Sequence, residues 1–184
     1  MLEFTIPVRI TISGTPGSGK STLAKNLAKA LRYPYLNAGQ IFRDAAQRHT
    51  MTLAEFARHV EAHPALDRKL DAALVARARK RRDLILEGRL AGWMTKRSRL
   101  PAFRIWVTAR EATRVRRIME REGGTRAETL RKLRERANGE ARRYRKFYRI
   151  DIRNLAPYDL IITTDERTPT EVARFVLDAI RASP

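Results

Sequence analysis

Nine residues at 14–22, GTPGSGKST, combine three glycines, four hydroxyl side chains and one lysine. From Gly14 to Ser21 they fit G-x-x-x-x-G-K-[ST], a pattern with a specific chemistry. Gly14, Gly17 and Gly19 leave the backbone open enough for successive N–H groups to face one anion, with Thr15, Pro16 and Ser18 between them. Lys20 is placed to bridge β- and γ-phosphates, the Ser21 hydroxyl to ligate Mg²⁺, and Thr22 to open a helix whose positive end faces the phosphates. The stretch therefore predicts a site for ATP and Mg²⁺.

The acceptor of such a phosphate needs its own anion site and a cover. The chain lacks the guanine-reading N-K-x-D of a switch GTPase and is shorter than most motor ATPases and helicases. A small-molecule kinase remains. NAGQIFR at 37–43 offers Gly39 at a turn and Arg43 one helical turn on, a candidate clamp for a monophosphate. LEGRLAGW at 86–93 ends an apolar run in Glu87, suited to hold Mg²⁺ through water, with Arg89 beyond Gly88 as a second phosphate grip. Asp67 and Asp71 lie four apart on one predicted helical face. Either can accept from an amino group such as that of cytosine, or pair on the helix surface with Arg68 or Lys69.

These residues need a scaffold at strand ends. VRITIS (8–13) reads as a buried strand, and TLAKNLAKAL sets Leu23, Leu27 and Leu31 on one helical face. Further strands are predicted around 35–37 and at 83–88, 103–108 and 158–164. A helical region covers 40–82, broken near HTMT and at Pro64, and helices are predicted over 112–122, 126–148 and 170–182. Strands alternating with helices imply an α/β fold, a five-stranded parallel sheet with helices on both faces. At 184 residues a single domain is expected. His49, His59 and His63 show no zinc spacing and are expected on the surface, whereas Trp93 and Trp106 are expected in the core.

Composition narrows the setting. The chain has no cysteine, and no apolar run approaches the ~20 residues of a membrane span. MLEFTIPVRI lacks the pattern of a secretory signal, so a cytoplasmic protein is expected. The net charge of +19, from 31 Arg and 8 Lys against 20 acidic residues, favours phosphate-bearing partners. A G+C-rich genome gives the same arginine bias. A basic RNA-binding P-loop protein is thus the reading from another class, although no aromatic RNA-binding sheet motif is present and nucleic acid is not expected as the main partner.

The set GTPGSGKST, NAGQIFRDAA, LEGRLAGWM, REGGT, RRYRKFYRID and YDLIITT, in this order over roughly residues 8–180, resembles the short archaeal-type cytidylate kinases of the nucleoside monophosphate kinase group. The resemblance implies transfer of the ATP γ-phosphoryl to CMP or dCMP by a monomer. It divides the single domain into a core (7–38, 83–122, 155–184), a nucleoside monophosphate-binding insertion (about 39–82) and a lid (about 123–153) hinged at Gly123–Gly124. It places Arg117 against adenine and Arg121 near the phosphates, and makes Arg136, Arg142 and Arg143 the candidate lid arginines, one of them positioned by Asp151. Three positions depart from the family pattern: Gln40 where an acidic residue is usual, Arg149 for glycine, and Thr163 for Asn or Asp. A seven-residue extension precedes the first strand. Kinases of other small acceptors, including other nucleoside monophosphates, form the nearest alternative.

Overall fold

The computed structural model describes residues 9–183, so the amino-terminal extension and Val8 lie outside the described residues. Five strands, β1 (Arg9–Gly14), β2 (Tyr35–Asn37), β3 (Ile85–Glu87), β4 (Ala102–Thr108) and β5 (Leu160–Thr163), form one sheet in the order β2-β3-β1-β4-β5. Every pairing is parallel, as the βα alternation predicts. Eight helices connect them: α1 (Lys20–Leu31), α2 (Ala38–Arg48), α3 (Leu53–Ala62), α4 (Pro64–Arg79), α5 (Ala91–Arg97), α6 (Glu111–Glu122), α7 (Arg126–Tyr148) and α8 (Pro169–Arg181).

Alternation along the strands divides the core between two faces. Ile10, Ile12, Ile85, Ile105 and Val107 join Leu23 and Leu27 of α1 and Val172, Val176 and Ile180 of α8 in one buried cluster. Leu84 and Leu86, on the opposite face, pack with Leu74 and Ala78 of α4 and Ala91 of α5. Each fully buried aliphatic side chain contributes roughly 1.5–3 kcal/mol of apolar burial, so both faces hold the sheet. Two satellites extend the core. Phe56 and Val60 of α3 pack on Ala45 and Ala46 of α2. Tyr144 and Ile150 anchor the end of α7 on Leu90 and Met94.

The ends of the elements have local causes. Thr52 and Thr168 each form a capping box with the glutamate three residues on, which fixes where α3 and α8 begin. Arg9 is buried at the opposite end of the sheet and donates from Nε to the Ala78 carbonyl at 2.7 Å, satisfying the end of α4. Arg149 closes α7 in the left-handed region (φ 51°, ψ 39°), which explains why glycine is the usual residue there.

Several boundaries differ from the sequence pattern. Strands β3 and β5 are shorter than predicted, and just before β5 the Asp159 carboxylate accepts from the Arg104 N–H at 2.7 Å, a side chain taking the place of a ladder carbonyl. Helix α5 was not foreseen: its seven residues, with Gly92 inside, are too few to show a period. Trp106 is buried as expected, whereas Trp93 is only partly buried against the α7 anchor. His59 and His63 stack at 4.2 Å, and the described residues contain no metal-binding group of three or more His, Cys, Asp or Glu side chains. No helix among the described residues is long and apolar enough to cross a membrane.

Candidate active site

The chain leaves β1 toward β2 and leaves the adjacent β3 toward β4, in opposite directions across the sheet, and the crevice at their carboxyl ends is where open α/β sheets collect ligands. Residues 14–19 turn there from β1 into α1. Gly14 has φ +148°, and a Cβ on it would run into the Val107 carbonyl oxygen. Gly17 has φ +76°, and a Cβ there would lie 2.8 Å from the Arg114 carbonyl oxygen. Only glycine fits either place. Helix α1 has no side-chain cap and no acidic residue in its first turn, so its N–H groups and positive dipole end are left for an anion. The Thr15 and Ser18 hydroxyl oxygens are buried without a hydrogen-bond partner.

Lys20 Nζ donates to the Thr15 carbonyl at 2.9 Å. Burial, together with the positive charges of Arg89, Arg136 and Arg121, pushes its pKa down to about 7, against the pull of Glu87. A phosphate arriving at this loop reverses that balance, since it supplies the negative charge the ammonium lacks.

The two residues expected at a metal meet as predicted. Ser21 Oγ donates to Glu87 Oε1 at 2.7 Å across 66 residues of chain. Glu87 is buried at the end of β3, and its other oxygen accepts from the Tyr35 hydroxyl and from Asn37 Nδ2 at 2.9 Å. A hydroxyl and one carboxylate, with room for water and phosphate oxygens, fit the oxygen-rich, incompletely protein-bound sphere of Mg²⁺. Tyr35 and Asn37 were missed as site residues. The available signal was the period-two spacing of Y-x-N, since β2 pairs Asn37 with Glu87.

Arg89, beyond Gly88, turns back over the loop. Its Nη1 donates to the Gly14 carbonyl at 2.9 Å, and its Nη2 pairs with Glu140 Oε2 from the middle of α7. Burial lowers its pKa to about 10. Glu140 Oε1 meets Arg136 Nε at 3.1 Å, so one carboxylate joins Arg89 to a predicted lid arginine. The sequence shows Glu140 only as an i,i+4 partner of Arg136.

Asp67 and Asp71 face α7 rather than Arg68 or Lys69, which corrects the surface-pair alternative. Asp67 is buried, with Arg143 Nε 3.8 Å from its Oδ2, and the Arg143 guanidinium also lies over the Phe42 ring at 5.6 Å. The Tyr148 hydroxyl donates to Asp71 Oδ2. Burial pushes the Asp71 pKa up to about 6. Gly39 and Arg43 lie exposed at the start of α2, where Gln40 Oε1 accepts from Arg43 Nη2 at 2.7 Å. Burial lowers the Arg136 pKa, and the positive charge of Arg43 adds to that shift.

Arg117 is held beside the loop, donating from Nη1 and Nη2 to Thr164 Oγ1 and O at 2.8 Å each. Thr164 in turn donates to the Ser18 carbonyl at 2.9 Å. Arg121 is exposed and paired with Glu122, and Arg142 is exposed with no ion pair among the described residues. The expectation for Asp151 is corrected. It binds Arg145 and Arg153, each Nη2 at 3.0 Å, and touches none of Arg136, Arg142 and Arg143. Its short loop after α7 brings the nearer pair within reach.

The model of the cytidylate kinase-like family matches residues 9–166. A protein named cytidylate kinase from Halobacterium salinarum is 43% identical over 173 residues, covering 94% of this chain and 89% of that protein. One of the same name from Pyrococcus abyssi is 42% identical over 171 residues, covering 93% and 92%. Among solved structures, an uncharacterized protein from Eubacterium ventriosum superposes with a TM-score of 0.71 at 17% identity, covering 96% of this chain and 99% of that one. Shikimate kinase from Acinetobacter baumannii gives 0.59 at 15% identity, covering 94% and 93%; these two likenesses show the fold.

Proposed function

Because the chain belongs to the cytidylate kinase-like family, we propose that it transfers the γ-phosphoryl of ATP to CMP or dCMP, giving ADP and CDP or dCDP. An oxygen of the acceptor phosphate attacks the γ-phosphorus while the bond to the β–γ bridging oxygen breaks, and ADP leaves. The attacking oxygen is already ionised at neutral pH, so no general base is required. Catalysis is then positioning plus stabilisation of charge on the transferring oxygens.

The observation that carries this reading is the pair of adjacent carbonyls at the loop. Arg89 sits on the Gly14 carbonyl and Lys20 on that of Thr15, so an acceptor-side cation and a donor-side cation occupy neighbouring peptide units. Residues 14–22 hold the triphosphate, with Lys20 on its β- and γ-phosphates, and Arg117 lies against the adenine. Arg89 and Arg43 hold the acceptor phosphate. Arg136, Arg142 and Arg143 come from the lid to the transferring group, and Arg121 adds charge near the phosphates. Asp71, beside Asp67, accepts from the cytosine amino group, where uracil presents an acceptor and is repelled. Ser21, and Glu87 through water, would hold Mg²⁺, which would supply positive charge to the triphosphate.

On this reading residues about 39–82 form the acceptor insertion and about 123–153 the lid of a monomeric cytoplasmic enzyme whose core is 7–38, 83–122 and 155–184. Release of ADP from ATP in the presence of each ribo- and deoxyribonucleoside monophosphate tests the reading. CMP and dCMP are expected to stimulate it most. Stimulation by another monophosphate alone reassigns the acceptor.

A further inference from the structure

We infer that Glu140 is a built-in counter-anion of the acceptor-phosphate site, holding its cations in the empty protein and giving way when the acceptor phosphate binds. The inference rests on the proposed function and concerns what occupies the same site before substrate does. Lys20, Arg89, Arg136 and Arg143 crowd this side of the loop, close enough for Arg89 and Arg136 to depress the Lys20 charge. Asp67 faces Arg143, and two further carboxylates stand among the other three. Glu87 has both oxygens engaged by Ser21, Tyr35 and Asn37. Glu140 is the one that touches the cations, with one oxygen on Arg89 and the other on Arg136.

The fit to Arg89 is incomplete. Arg89 gives Nη1 to the Gly14 carbonyl and Nη2 to Glu140, but its Nε is buried with no partner. A carboxylate divided between two arginines cannot also serve that donor. A phosphate dianion, with three terminal oxygens, can take Nε and Nη2 together and still reach Arg136. The side chains of Arg89 and Glu140 are only 13% and 15% exposed, so the exchange takes place where charge is weakly screened. Phosphate and Glu140 cannot both keep these donors, since two anions would then face one guanidinium edge. Glu140 lies in the middle of α7, so its release also frees that part of the lid from the loop.

Glu140→Gln, which keeps the shape and removes the charge, tests this by calorimetric titration with CMP in the absence of ATP and by thermal melts with and without CMP. The empty variant is expected to melt lower, because Arg89 loses its counter-charge, yet to bind CMP about tenfold more tightly and gain more from it in the melt. In steady state KM for CMP falls. Equal or weaker CMP binding overturns the inference and makes Glu140 a permanent orienter of Arg89. If the variant fails to fold, Glu140→Asp, which keeps the charge but shortens its reach, is expected to bind CMP about threefold more tightly, and unchanged or weaker binding again overturns it. Inorganic phosphate separates the two claims. Tighter phosphate binding by the variant, with no CMP-stimulated ADP release by the wild type, upholds the counter-anion and rejects the proposed acceptor.

Discussion

The donor and acceptor sides of the cleft are built from different materials. On the donor side nine consecutive residues suffice, and most of the work falls to backbone: glycine conformations, N–H groups and the open end of α1. The acceptor side is assembled from side chains brought together across the chain, with Arg89 after β3, Glu140 and Arg143 on α7, and Asp67 and Asp71 on α4. A backbone site is rigid and tolerant of neighbours. A side-chain site depends on ion pairs that substrate must replace, and this makes it the adjustable half of the molecule.

The sharpest separation is expected at Lys20. Lys20→Ala should lower kcat by about a thousandfold, as for removal of a preorganised charge at a transferring group, with little loss of stability. A melt that falls along with activity would show the loop to be structurally dependent on Lys20. Arg89→Ala should raise KM for CMP about a hundredfold and leave KM for ATP nearly unchanged, the size expected for a buried charge-assisted contact. An equal rise for both substrates would break the division between the two halves.

That division also marks what the sequence could reveal. The loop was legible because its chemistry is local, and the five strands because their alternation and turn residues are local too. Glu87 and Arg89 were legible because a buried run ending in charge points to a sheet edge. Tyr35, Thr164 and Tyr148 were not, since each acts through a partner at least 47 residues away. Glu140 was hidden by a local explanation, its i,i+4 spacing to Arg136, which is real but half of what it does. Pairs with no distant competitor, such as Glu128 with Lys132 at 2.6 Å, formed as the helix pattern predicts.

Smaller effects probe each half alone. Asp71→Asn should raise KM for CMP about tenfold while leaving that for UMP unchanged, the cost of losing one base-reading acceptor. Equal changes for both bases would move selectivity elsewhere.

On the donor side, pH is the probe. The Lys20 pKa lies near 7 in the empty fold and near 10.5 in the unfolded chain. Between these values the unfolded chain holds the proton that the fold has released, so this group's contribution makes stability rise with pH; below about 7 both states are protonated and its penalty is constant. Nucleotide binding, which restores the charge, should take up close to one proton at pH 8, and ATP affinity should fall by up to about tenfold per pH unit above 7. Calorimetry in buffers of different ionisation heat reads that uptake, and none at pH 8 would contradict the assigned environment of Lys20. Arg149→Gly, at the left-handed end of α7, should relieve about 1 kcal/mol and raise the melting temperature by about 2–4 °C with kinetics unchanged. A lower melting temperature would mean that the arginine side chain stabilises the lid end.

The central claim is that one loop presents a donor phosphate and an acceptor phosphate to each other. Phosphorus NMR of the protein with ATP, Mg²⁺ and CMP tests it directly. CDP and ADP are expected in equal amounts, with CDP formation slowed about a hundredfold at limiting CMP in Arg89→Ala while ATP binding holds. ADP accompanied by inorganic phosphate instead of CDP would contradict it.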